Sequence, residues 1–352
     1  EKTAESVFSI LCPTIPHNIK PPSPSTIPVL PPLPSPQTQF TVTGPDHAVT
    51  ASLGGEAVLS CHLSPRMSAE NMEVGWVRSQ DSEIVHLYRD GQDQYGQQML
   101  EYSGRTELLR DDITNGRVFL RIYDIQPSDN GPYKCFFQSS IFYKDALLEL
   151  QVAAPAPGHD SVTLSPVDVT LDPDTANPWL VLSEDRKRVR DGDKRQNLPD
   201  NPERFDPCVC VLGAEGFVGG RRYWEVKVGE KTGWELGVCR ESVRRKELVT
   251  YTPRNGYWVM VLRDGKYSAC TSPSTPLPVS VRPRQVGIFL DYEAGEVSFY
   301  NVTDRSHLFT FTGTFSTTLR PYFSPGYSAG PTNTAPLIIC PVPAQAGGNL
   351  GP

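Results

Sequence analysis

Between residues 39 and 153 the apolar and polar positions alternate in short runs. In Ala57-Val58-Leu59-Ser60-Cys61-His62-Leu63 the odd positions are apolar, and Val118, Leu120 and Ile122 repeat the pattern in a later run. Leu148, Leu150 and Val152 do so again, with Glu149 and Gln151 between them. A period of two lines each apolar set along one face of a strand, whereas a helix would scatter it around its circumference. An antiparallel sandwich is therefore expected here. A second series follows from 165 to 342, with Tyr223-Trp224-Glu225-Val226-Lys227-Val228, Trp234-Glu235-Leu236-Gly237-Val238 and Val286-Gly287-Ile288-Phe289-Leu290 as its clearest strands. Glycine and proline turns separate them, and no segment keeps a helical period. The expected architecture is all-β, two sandwiches in one chain.

The flanking segments differ in composition. Residues 13–36 hold ten of the 34 prolines, in runs such as Pro21-Pro22-Ser23-Pro24, so 1–38 is expected to be an extended, disordered leader. Its Pro-x-x-Pro spacings, Pro21 to Pro24 and Pro28 to Pro31, fit an aromatic groove, although a plain spacer is the favoured reading. Residues 154–164 form a linker and 343–352 a flexible tail. The longest apolar runs, such as 7–12, fall far short of the roughly 20 residues a spanning helix needs, so no membrane helix is expected. A link this short cannot cross a bilayer, which puts both sandwiches on one side of any membrane. With 352 residues, 38% of them hydrophobic, the chain can fill two cores. Its net charge of -7 argues against nucleic acid as a partner.

Specific residues sharpen the first sandwich. Cys61 and Cys135 bracket Trp76, Tyr133 stands two residues before the second cysteine, and Asp129 and Arg105 are spaced to form a buried-edge ion pair. This set resembles a variable-type immunoglobulin domain, 39–153, with Trp76, Arg105, Asp129 and Tyr133 as its structural core. The resemblance implies a Cys61–Cys135 disulfide between the sheets in a secretory-pathway product; two reduced core cysteines are the alternative for a cytosolic one. Residues 136–143 are expected to connect the last two strands at the partner-binding end, with Phe136, Gln138 and Tyr143 as candidate contacts.

The second sandwich carries Leu171-Asp172-Pro173-Asp174-Thr175-Ala176, Leu198-Pro199-Asp200-Asn201-Pro202-Glu203-Arg204-Phe205, Tyr223-Trp224-Glu225-Val226 and Leu290-Asp291-Tyr292-Glu293 in order. These resemble a PRY-SPRY domain, 165–342, a bent β-sandwich that binds proteins through loops at one end. An immunoglobulin domain followed by PRY-SPRY resembles the butyrophilin family. That resemblance implies a plasma-membrane protein whose outer domain binds an immune-cell counter-receptor and regulates T-cell activation and cytokine production. It also implies an inner PRY-SPRY domain with a protein or small ligand of its own, and pairing with itself or with related butyrophilins. In relatives a membrane helix separates the two halves; lacking one, this chain is alternatively a secreted or cytosolic product, or a soluble intracellular adaptor that captures a target through PRY-SPRY.

Some butyrophilins bind phosphorylated ligands in a basic pocket. At the corresponding positions this chain has Cys208, Glu235, Thr250, Ser268 and Ser274, without a cation, so no phosphoantigen binding is expected. A shallow surface near Trp234, Glu235, Tyr257, Trp258 and Tyr267 is the expected partner site instead. The six histidines and Cys208-x-Cys210 give no metal-ligand spacing, and the glycine-rich run 213–219 lacks the dinucleotide spacing. No metal, cofactor or catalysis is expected. Asn301-Val302-Thr303 is the sole glycosylation sequon, whose occupancy would report the compartment.

Overall fold

The computed structural model describes residues 39–78, 81–155, 165–327 and 333–342. The leader 1–38 with its Pro-x-x-Pro spacings, most of the 154–164 linker and the tail 343–352 lie outside the described residues.

The alternating runs of the first half become strands Ala57–Ser64, Arg117–Ile122 and Tyr143–Ala153. Two sheets face each other. One has the order Thr41–Thr43, Ala57–Ser64, Arg117–Ile122, Thr106–Leu109; the other runs Val49–Ser52, Tyr143–Ala153, Gly131–Gln138, Glu73–Val77, Ile84–Arg89, Gln92–Asp93. Only Val49–Ser52 and Tyr143–Ala153 pair in parallel among these. Leu59, Val118 and Leu120 from one sheet pack on Trp76, Phe137 and Leu150 from the other. Within this core a disulfide joins Cys61 to Cys135, whose Cα atoms lie 6.7 Å apart.

The second half also forms two sheets. The larger runs Leu180–Leu182, Arg188–Asp191, Leu337–Ile339, Arg221–Lys227, Gln285–Asp291, Glu296–Asn301, Ser306–Thr312, with Ser165–Pro166 added beside Arg221–Lys227. The smaller has the order Val211–Leu212, Leu319–Ser324, Trp234–Arg240, Tyr257–Arg263, Lys266–Ala269, Thr275–Pro276. Trp224, Ile288 and Phe299 of the larger sheet meet Leu236, Trp258 and Phe323 of the smaller in a shared core.

An antiparallel sheet usually leaves one face to water. Here Gln285–Asp291 and Glu296–Asn301 are buried on both faces, because the first domain covers the outer one. Tyr223, Phe289 and Tyr300 project from that face into the hydrophobic cluster of the immunoglobulin-like domain. Gly287 makes room among them, since a Cβ there would collide with the Tyr223 hydroxyl. Two arginines pin the edges. Arg221 pairs with Asp124 of the first domain and, at 2.7 Å, with Asp291 of its own. Arg305 donates to the Ser52 hydroxyl at 2.7 Å and to the Ala154 carbonyl, and its own carbonyl accepts from the Ala154 amide at 3.0 Å.

Candidate functional site

Alternation along the six-stranded sheet of the first domain sends Trp76, Cys135 and Phe137 inward and leaves Phe136, Gln138, Tyr143, Asp145 and Leu147 on the outer face. Phe136 packs with Val77 and Leu87 in a small apolar cluster that includes the half-buried Ile84. Tyr143 stacks on it with ring centroids 5.5 Å apart, leaving 43% of Tyr143 exposed. Leu147 on the same face is 75% exposed. Glu73, Lys134 and Asp145 surround this strip with charge. Gln138 also borders a cleft of about 470 Å³ lined by Glu70, Glu73, Arg89, Asp90 and Ser139.

The connection expected over 136–143 is shorter than that. The strands run to Gln138 and resume at Tyr143, so only 139–142 turn, closed by the Ser139 amide donating to Phe142 at 2.8 Å. Phe136 and Gln138 are strand residues, and Phe136 is buried at 8% exposure. Leu147 and Ile84 were missed as surface residues. For Leu147 the signal was available, since it stands two positions beyond Asp145 in the outward register of Tyr143.

Of the residues expected to stabilise this domain, Trp76 lies in the core between the sheets, and Arg105, Asp129 and Tyr133 come together at the other end. The Tyr133 hydroxyl donates to the Asp129 carbonyl at 2.9 Å and lies 3.0 Å from the Tyr102 hydroxyl. Arg105 pairs with the Asp129 carboxylate, which also accepts from the Gln126 amide at 2.8 Å. Arg78, absent from the sequence expectations, lies 4.4 Å above the Tyr133 ring and donates to the carbonyls of Asp129 and Asn130, each at 2.9 Å. Burial pushes the Tyr133 hydroxyl up to about 12, which keeps it a donor.

The expected PRY-SPRY surface needs correcting. Trp234, Tyr257 and Trp258 are buried at 1–2% exposure and Glu235 nearly so; of the five, only Tyr267 reaches the surface appreciably. Trp234 and Trp258 point into the core between the sheets. Tyr257 points to the opposite face, where Phe205, Cys208, Cys210 and Val243 cover it with Cys239 and Tyr322. The covering segments lie far away in sequence, so strand alternation could not reveal them. Glu235 sits under this cover: burial pushes its carboxyl up, opposed by Arg263, which donates to it at 2.9 Å, and Tyr322 donates at 3.3 Å. Of the other positions matched to the phosphoantigen pocket, Cys208 is buried, Ser268 is half-buried, and Thr250 and Ser274 are exposed.

Cys208 and Cys210 precede the strand Val211–Leu212 and are linked by a turn in which the Cys210 amide donates to the Cys208 carbonyl. Burial raises both thiols, and pushes Cys239 up to about 12. Among the described residues no group of three or more His, Cys, Asp or Glu side chains is arranged to hold a metal, and no helix is long and apolar enough to cross a membrane.

Residues 44–153 match the immunoglobulin V-set domain, residues 169–217 the SPRY-associated domain PRY, and residues 221–337 the SPRY domain. These modules bind rather than catalyse, and define a two-domain recognition protein. Human erythroid membrane-associated protein is 42% identical over 374 residues, spanning 82% of this chain and 78% of that protein. Bovine butyrophilin subfamily 1 member A1 is 34% identical over 451 residues, spanning 86% and 85%. The chain belongs to the butyrophilin family. The second alignment is longer than the whole chain, so that relative carries segments this one lacks. Among solved structures, the TRIM65 PSpry domain aligns with a TM-score of 0.43 at 25% identity over 50% of this chain and 91% of its own. Bovine butyrophilin aligns with a TM-score of 0.37 at 21% identity over 79% and 100%.

Proposed function

We propose that this chain is a butyrophilin-like recognition protein whose V-set domain, on the outer side of the plasma membrane, binds a protein counter-receptor on immune cells and so regulates T-cell activation and cytokine production. The observation that carries this reading is the outer face of the six-stranded sheet, where Tyr143 and Leu147 expose apolar surface beside the Phe136 cluster inside a charged rim. Protein interfaces are built in this way, from a desolvated apolar centre with aromatic anchors and a polar border. PRY-SPRY supplies a second binding module, presenting Tyr267 and the exposed Leu248 at its surface.

The test is staining of resting and activated T cells with a fluorescent multimer of the full chain. Wild type is expected to stain, and Leu147→Asp and Tyr143→Ala to lose roughly tenfold or more in apparent affinity, the scale of an interface anchor. Val58→Asp, on the outer face of the other sheet, should bind like wild type. Equal staining by all variants refutes the assigned face, and absence of staining on every immune cell type refutes the partner class.

A further inference from the structure

The face that joins the two domains contains one carboxyl group in an adverse setting. Glu296 opens the strand Glu296–Asn301, opposite Asp291 and Thr312 in the neighbouring strands. It is 8% exposed. The groups acting on it come from both domains. Asp291 and Arg221 belong to its own sheet, whereas Asp129 and Glu101 belong to the V-set domain. The last two lie at the end built around Tyr133, where Arg105 already neutralises Asp129. Arg221 is the cation that favours an ionised Glu296, and it is shared between Asp124 across the boundary and Asp291. Tyr300, on the same strand, fills the apolar part of the contact.

We propose that Glu296 is a proton-dependent latch between the domains: as the neutral acid it lets the V-set domain seat on the PRY-SPRY sheet, and as the carboxylate it weakens that seating. Burial first, and then the carboxylates of Asp291, Asp129 and Glu101, push Glu296 from the ordinary carboxylate range up to about 7, against the pull of Arg221. Separating the domains removes Asp129 and Glu101 and returns water to the site, so the undocked group titrates lower. The docked form therefore holds one proton more than the undocked form over the interval between the two values. Docking is then strongest in acid and weakens as pH rises towards about 7, after which both forms are ionised and the dependence ends.

Small-angle scattering of the full chain from pH 5 to 8.5 tests the latch. The wild type should shift from a compact to a more extended population as pH rises, with the docking equilibrium moving roughly tenfold or more. Glu296→Gln, a neutral isostere, should stay compact throughout. Glu101→Gln, on the exposed rim, should shrink the shift without abolishing it. Circular dichroism at each pH separates domain opening from unfolding. A wild-type profile that does not change with pH, or a Glu296→Gln profile that changes as the wild type does, overturns the proposal.

Discussion

Gly75 lies directly under the ring of Phe136: a Cβ at position 75 would stand 2.6 Å from the ring carbon Cε1. The missing side chain lets Phe136 lie flat on its neighbouring strand, which in turn gives Tyr143 a surface to stack on. Gly75→Ala is thus expected to lift the ring, at a cost of about 1–3 kcal/mol typical of overpacking. Urea denaturation reads that cost. Multimer staining should fall further than the loss of folded protein explains, because the stacked pair is displaced; a binding loss no larger than the folding loss would detach Phe136 from recognition.

Arg105→Ala is expected to be among the most damaging single changes in the V-set domain. It strands the Asp129 carboxylate, whose side chain is 1% exposed, without its cation. Breaking a buried pair in this way costs roughly 3–5 kcal/mol. Arg105→Lys should recover part of this, since a lysine supplies the charge but not the fork that also reaches the carbonyls of Glu101 and Asp124. Chemical denaturation of the three proteins gives the ranking.

The disulfide closes a segment with a sequence separation of 74. Chain-entropy arguments assign a loop of this length about 4 kcal/mol, so Cys61→Ala with Cys135→Ala should leave the V-set domain marginally folded while PRY-SPRY keeps its melting behaviour. Differential scanning calorimetry, with and without reductant, resolves the two transitions. A parallel loss in both would show that the V-set domain also stabilises its neighbour through the sheet it covers.

His307 gives PRY-SPRY an acid limit. Burial pulls its imidazole down to about 4, with Nε2 lying 2.8 Å from the Thr310 hydroxyl. The unfolded chain therefore binds a proton that the folded chain refuses between the ordinary histidine value of 6.5 and about 4. Stability should fall as pH drops through that window, by on the order of 3 kcal/mol in all. His307→Gln should flatten this limb in pH-dependent denaturation, and an unchanged slope would place the acid sensitivity elsewhere.

Strand periodicity and the residue set around Cys61 and Cys135 made the V-set domain legible in detail, because its alternating faces divide cleanly between core and water. Arg78 was not legible, since a surface arginine and one lying over the Tyr133 ring look alike in sequence. PRY-SPRY was legible as a fold and misread as a surface. Trp234, Tyr257 and Trp258 looked available because aromatics near loops often are; in the structure one face of their sheet meets the core and the other is roofed by 205–212 and 243–251. The uninterrupted apolar run from Val286 to Leu290 was a visible sign that its strand is covered twice, but nothing local says that the second cover is another domain.

Five unbridged cysteines in PRY-SPRY would ordinarily tie that half of the chain to a reducing compartment. Their chemistry loosens the tie. Each of the five has its thiol raised by burial, and exchange with a disulfide begins from the thiolate, so at neutral pH these sulfurs attack slowly and are slow to be captured. Once folded, this half should pass through an oxidising lumen without scrambling the Cys61–Cys135 bond. The PRY-SPRY half is thereby chemically competent on either face of a membrane, and it is the Cys61–Cys135 bond of the other half that ties the polypeptide to an oxidising route.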